Sequence, residues 1–190
     1  MNSAVLLLTA LALILSAPAL STRGDTYRVS DAEVTVICPL TVGGSFEART
    51  RDIHGDVAPG AEAPGTVTGA IRVNLQSLET GIALRDRHMR SNYLEVDKGS
   101  DFAVSTVDDI YLDAVHGKST FRAILTLHGH RQEVKGAAEV SPRGGGFRVR
   151  AEFPIRVSDF QIPTPTYLGI GVRDEIRVKV SFVAGGQVAH

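Results

Sequence analysis

The sequence predicts a single, mostly antiparallel all-β domain. Three observations lead there. Many segments alternate apolar and polar residues with a period of two, Gly and Pro clusters separate them, and only one segment has a convincing helical period. The clearest alternation is "GTVTGAIRVNL", with Val67, Gly69, Ile71, Val73 and Leu75 on one face and Thr66, Thr68, Ala70, Arg72 and Asn74 on the other.

Along the chain, the first strand-like runs are 27–29, 33–40 and 45–57, then the alternating segment at 65–75. After the helical segment come runs at 102–107, 118–128 and 133–140. "GFRVRAEF" sets Phe147, Val149, Ala151 and Phe153 opposite Arg148, Arg150 and Glu152. "EIRVKVSFV" sets Ile176, Val178, Val180 and Phe182 opposite Arg177, Lys179 and Ser181. "VGG", "APGAEAPG", "SPRGGG" and "PTPTYLGIG" punctuate the runs, and no repeat or linker divides them. Roughly eight strands of this kind form either a sandwich or a closed barrel. Small residues on strand faces (Gly69, Gly136, Ala138) and the absence of Trp predict a partly empty apolar interior.

The N-terminus reads as a separate piece. "AVLLLTALALIL" has the length of a signal-peptide core, is short for a membrane span, and is followed by Ala17-Pro18-Ala19 in the small-x-small form of a cleavage site. The expectation is a signal peptide at 1–19, one domain at 20–190, and a periplasmic or secreted protein that does not span the membrane. The net charge of −1 gives no reason to expect nucleic acid as a partner. Cys38 is the only cysteine, so an intramolecular disulfide is impossible, and its sequence context reads as a small buried side chain.

The helical segment is 81–93. Thr80 is a suitable N-cap, Ile82, Met89 and Tyr93 make a narrow apolar stripe, and Asp86 and Arg90 stand four apart in the favourable order for an ion pair. Charges crowd this segment: Arg85, Asp86, Arg87, His88 and Arg90.

"SLETGIALRDRHMRS" resembles the signature of the YceI-like family, a strand ending in Ser-Leu/Ile-x-Thr-Gly that runs into Arg-Asp-x-His-Leu-Arg-Ser. The resemblance continues in "LTLHGHRQEV", "IRVSDFQI" and "VRDEI", in the family's order and over nearly the whole domain. It implies an eight-stranded antiparallel lipocalin-like barrel with a helical insertion, exported to the periplasm and holding a polyisoprenoid-type lipid or quinone in an apolar tunnel. True lipocalins match less well, because their Gly-x-Trp start is absent. The chain also departs from the family pattern. Val157 stands for the usual Arg, Gln161 for Gly and Arg173 for Gly, and "EVTVICPLTVGGSF" replaces a His-bearing stretch.

Arg85, Asp86, His88, Arg90 and Ser91 map onto the first motif. Arg85, His88 and Arg90 are candidates for a polar tunnel mouth that binds a quinone or pyrophosphate head, since guanidinium donates paired hydrogen bonds to phosphate. The alternative is a set of hydrogen bonds clamping the helix across a barrel end. The apolar candidates for the tunnel are Val67, Ile71, Val73, Phe121, Leu125, Phe147, Val149, Phe153, Val178, Val180 and Phe182; a solidly packed core would use the same residues. A hydrolase or metal enzyme using His88, Asp86 and His128 is the rival reading, and a filled barrel serving as an interaction module is a third. Against hydrolysis, positions two apart on a helix do not face each other, so Asp86, His88 and a Ser91 nucleophile do not line up. Against metal, His128 and His130 lack a third ligand at suitable spacing. No cofactor is implied. The loop 160–172 reads as a lid, an entrance rim or a homodimer contact.

Overall fold

The computed structural model describes residues 26–167 and 170–186; the signal-peptide expectation for 1–19 lies outside them. Eleven strands form: β1 Tyr27–Pro39, β2 Ser45–Thr50, β3 Ile53–Pro59, β4 Thr66–Asn74, β5 Val104–Leu112, β6 Gly117–Leu127, β7 His130–Arg143, β8 Gly146–Arg156, β9 Thr166–Tyr167, β10 Ile170–Gly171 and β11 Glu175–Gly186. The main sheet runs β11-β8-β7-β6-β5-β4-β3-β1-β2, and β11 also pairs with β1, which closes it. β1 pairs with β3 through Tyr27 and Arg28 and with β2 from Val34 to Pro39. Those two short strands therefore share one position, and the wall is an eight-stranded antiparallel barrel. Closure removes the exposed sheet edges.

Closing a barrel needs bent strands, and three bulges supply the bends. β1 is one strand where the sequence shows two runs, with its register shifting between Ser30 and Glu33 at Asp31, φ 46°. β4 shifts between Val67 and Ile71 at Gly69, φ 98°, and β5 between Asp108 and Tyr111 at Asp109, φ 49°. Conversely, the run at 45–57 breaks at Arg51–Asp52 into two strands.

The helical insertion is short. α1 covers Ala83–His88 and passes directly into a π-helical turn at Met89–Tyr93, closed by the Leu94 N–H on the Met89 carbonyl at 2.9 Å. Thr80 is not its N-cap; that position is Ile82, without a side-chain cap. Thr80 instead binds the buried Asp86, whose Oδ1 accepts from the Thr80 amide at 2.7 Å and its hydroxyl at 2.5 Å. The expected Asp86–Arg90 ion pair therefore does not form. Arg90 turns back, donating from Nε to the Asp86 carbonyl (3.2 Å) and from its guanidinium to the Gln76 carbonyl (2.6 Å). A second short helix, α2 at Ser100–Ala103, leads into β5.

The β6–β7 turn is tied to this insertion. Its two central residues, His128 and Gly129, both have positive φ (53° and 76°), the geometry of a tight two-residue hairpin. His128 is buried, with Nδ1 3.1 Å from the Phe160 carbonyl oxygen and Nε2 3.1 Å from Glu95 Oε2. Both partners are acceptors, so whichever ring nitrogen carries a proton donates to the partner it faces. Phe102 meets the imidazole edge-on at 4.6 Å.

Candidate functional site: an apolar cavity beneath the helical insertion

The barrel interior is solid at one end and hollow at the other. At the end where β6 starts and β8 begins, Tyr27 meets Phe147 edge-on at 5.4 Å, and deeper in, Phe121 meets Phe153 at 5.6 Å. Gly136 makes the second pair possible. A Cβ there would lie 2.2 Å from the Glu152 carbonyl oxygen and 3.0 Å from the Phe121 ring. Above the Phe121–Phe153 pair, the inward residues are short, and a cavity of about 690 Å³ opens. That volume lies within the usual range of about 300–1,000 Å³ for small-molecule sites.

Its walls are Val34, Val36 and Cys38 of β1, Val73 of β4, Ser105 and Val107 of β5, Leu125 and Leu127 of β6, Phe153 and Ile155 of β8, and Ile176, Val178 and Val180 of β11. Ser105 spends its hydroxyl on the Thr126 carbonyl at 2.9 Å, which leaves its side of the wall effectively apolar. The insertion covers the top with Ile82, Leu84, Arg85, His88, Met89, Tyr93 and Leu94. The π turn adds one residue to the helical repeat and keeps Met89 and Leu94 together on the cavity side. Leu40, Phe46, Ile162, Pro165, Ile170 and Val172 complete the rim.

Among the described residues lining the cavity, the basic side chains Arg85 and His88 stand at its mouth. The Arg85 guanidinium lies over the Phe46 ring, 4.4 Å from its centroid, and has no carboxylate partner among the described residues. His88 is exposed and also lines the opening. Cys38 sits below, its thiol pushed up to about 11 by burial, with the positive Arg85 pulling weakly the other way.

Seven of the ligand-contact residues expected from sequence line the cavity: Arg85, His88, Val73, Leu125, Phe153, Val178 and Val180. Seven do not. Arg90 is held against Gln76 and faces a separate polar groove with Arg87 and Asp97. Val67, Ile71, Phe121, Val149 and Phe182 pack the core outside the cavity, most of them toward the solid end, and Phe147 lies against Tyr27 there. The small residues expected to create the hollow do something else: Gly69 forms a wall bulge and Gly136 admits the aromatic pair. Sequence reasoning missed Val36, Ile155, Ile162 and Phe46. Alternation marks the inward residues without saying at which height along the barrel each one sits.

The residues of the catalytic reading are not assembled. Asp86 binds Thr80, His128 binds Glu95 and Phe160, His88 opens to the cavity mouth, and none hydrogen-bonds another. Among the described residues, no three His, Cys, Asp or Glu side chains form a metal-ligating group.

The other two motifs meet at the rim. Asp174 accepts from the Ser158 amide at 2.9 Å and hydroxyl at 2.8 Å, stapling the turn Val157–Phe160 to the start of β11.

Comparison with known proteins agrees with this architecture. The chain superposes on Burkholderia cenocepacia BcnA with a TM-score of 0.65 at 16% identity, over 80% of this chain and 96% of that one. It is similarly close to a polyisoprenoid-binding domain from Saccharophagus degradans implicated in plant cell wall breakdown (TM-score 0.64, 16% identity, 87% and 100% covered). A Campylobacter jejuni YceI protein superposes with a TM-score of 0.56 at 16% identity, over 76% and 86%. No curated protein matches the sequence. The family description of the YceI-like domain matches residues 27–184, from the start of β1 to near the end of β11, and the chain belongs to that family.

Proposed function

We propose that this protein binds the apolar chain of an isoprenoid-type lipid in the cavity and keeps the lipid's polar head at the mouth beside Arg85 and His88, sequestering or carrying it. One observation supports this above the others: an apolar space of about 690 Å³, open at its mouth, where the guanidinium of Arg85 and the imidazole of His88 stand. Each Å² of chain taken from water contributes about 25 cal/mol, so the tail supplies the affinity. Arg85, without a carboxylate of its own, is suited to a prenyl phosphate or to a quinone oxygen. Membership of a family with a polyisoprenoid-binding relative supports a binding role rather than catalysis. The apolar run at 4–15 supports export to the periplasm.

The test is to purify the protein from the cells that make it, extract it with organic solvent and analyse the extract by mass spectrometry. A stoichiometric prenyl lipid is expected. An extract without lipid, together with no uptake of added prenyl chains, would overturn the reading. Arg85→Gln should weaken phosphate-headed ligands by roughly 1.5–3 kcal/mol, the worth of a charged hydrogen bond, and leave headless prenyl chains nearly unaffected.

A further inference from the structure

The mouth of the cavity carries a feature that ligand binding alone does not require. Five large apolar residues are conspicuously exposed among the described ones, and four of them cluster here: Val42 (67%), Leu84 (59%), Ile82 (50%) and Ile170 (45%). Ile82, Leu84 and Ile170 also line the cavity, so the apolar wall runs unbroken from the interior onto the outer surface. Val42 joins them through its turn, in which the Thr41 amide donates to the Gly171 carbonyl at 2.9 Å. Scattered single apolar residues need no explanation, but a contiguous apolar rim around an opening does.

Two arginines flank the rim. Arg85 lies on the helical side; Arg173 lies on the loop side, donating from Nε to the Leu40 carbonyl at 3.3 Å. Neither forms an ion pair with a carboxylate among the described residues, so both charges are available to a ligand or surface at the mouth. The nearby acids Asp86 and Glu47 are engaged by Thr80 and Arg49. Arg173 is exposed at the start of the segment that leads into β11.

We propose that this rim docks on an anionic lipid surface, with Val42, Ile82, Leu84 and Ile170 seated among the lipids and Arg85 and Arg173 against their phosphates. Apolar side chains beside cations are the chemistry that holds peripheral proteins at a lipid interface. Docking there joins the cavity to the bilayer, and an apolar chain passes between them without crossing water. A second copy of the chain fits the rim less well. A two-fold contact sets the same patch on both sides, which brings arginines against arginines. The proposal does not depend on the cavity's ligand being an isoprenoid.

The test uses the chain from Leu20, which contains the entire barrel, and co-sedimentation with vesicles of phosphatidylglycerol and phosphatidylcholine. Val42→Ser with Arg173→Glu alters the rim without touching the cavity lining; Val115→Ser with Lys118→Glu makes matched changes at the far end. The rim pair should lower vesicle affinity at least 25-fold, from about fivefold per unit of charge, and the far-end pair should change it less than twofold. Both variants should keep the wild-type melting temperature, since all four side chains are exposed. Raised salt should weaken the association. No association of the wild-type chain, equal losses from both pairs, or a dimer that only the rim pair dissociates would each overturn the proposal.

Discussion

The two ends of one barrel interior are built from the same alternating strands, yet one is filled and the other hollow. β6 illustrates the difference. Its inward residues are Phe121, Ala123, Leu125 and Leu127; the first packs edge-on against Phe153, while the last two face an open cavity. β11 repeats the pattern, with Ile176, Val178 and Val180 on the cavity and Phe182 and Ala184 beyond its floor. Where opposing strands bring two rings together on the axis, the interior closes; where they bring mostly aliphatic side chains, it stays open, and the insertion covers it. The solid end is built for stability, and the hollow end holds the space in which binding is proposed.

That division can be broken directly, and the largest effect is expected at the solid end. Phe121→Ala removes a ring that is 8% exposed and packed against Phe153, and should cost about 3–5 kcal/mol in chemical unfolding. It should also deepen the cavity and allow longer chains to bind. The converse change, Val36→Phe, adds bulk where there is space. It should alter stability by less than about 1 kcal/mol, below the roughly 1–3 kcal/mol that crowding a packed core costs, while reducing ligand uptake severely. If both variants lost stability equally, the two ends would not differ as described.

His128 ties the rim and the insertion together at the hollow end, so its loss should fall next in size. The ring holds Phe160 of the rim and Glu95 of the insertion, and Lys98 and His128 together keep the Glu95 carboxyl below its usual range. His128→Ala leaves the Phe160 carbonyl and the Glu95 carboxylate without their imidazole partner. A loss of about 2–3 kcal/mol is expected, with faster hydrogen exchange in residues 94–103 than in β8. Unchanged stability would mean that the insertion is held by its apolar contacts alone.

Cys38 reports on whether the hollow end is dry. With its thiol pushed up to about 11, only about one molecule in a thousand carries the thiolate at pH 8. Iodoacetamide should therefore react slowly, with a rate still rising at pH 10. A plateau near pH 9 would show a wetter cavity. Bound ligand should slow the reaction further, because Cys38 is part of the wall.

The barrel was legible in the sequence where alternation is unbroken, as in β8 and β11. It was hidden at the bulges, because Asp31 and Asp109 take left-handed conformations that nothing in their neighbours marks. The break between β2 and β3 falls in a run without Gly or Pro at the break itself, so two strands read as one. For the site, Arg85 and His88 stood out by charge and motif, but the height of each apolar residue in the barrel depends on strand stagger, a long-range property. Arg90 looked like their equal, and only the three-dimensional position of the Gln76 carbonyl distinguishes it.

The smallest effect concerns Gln161, which stands where the family pattern has Gly and which ends the turn Val157–Phe160 at the rim. Its φ is 56°, left-handed, and its amide donates to the Ser158 carbonyl at 3.0 Å. A residue with a Cβ is strained there by about 1–2 kcal/mol relative to its right-handed state, whereas Gly accepts the conformation freely. Gly also loses more entropy on folding, which offsets part of the gain. Gln161→Gly should therefore stabilise the protein by about 0.5–1 kcal/mol, visible as a rise of a few degrees in thermal melting. Because Asp174 already fixes this turn through Ser158, ligand binding should stay as it was. A drop in stability would mean that the Gln161 side chain contributes more to the rim than its backbone costs.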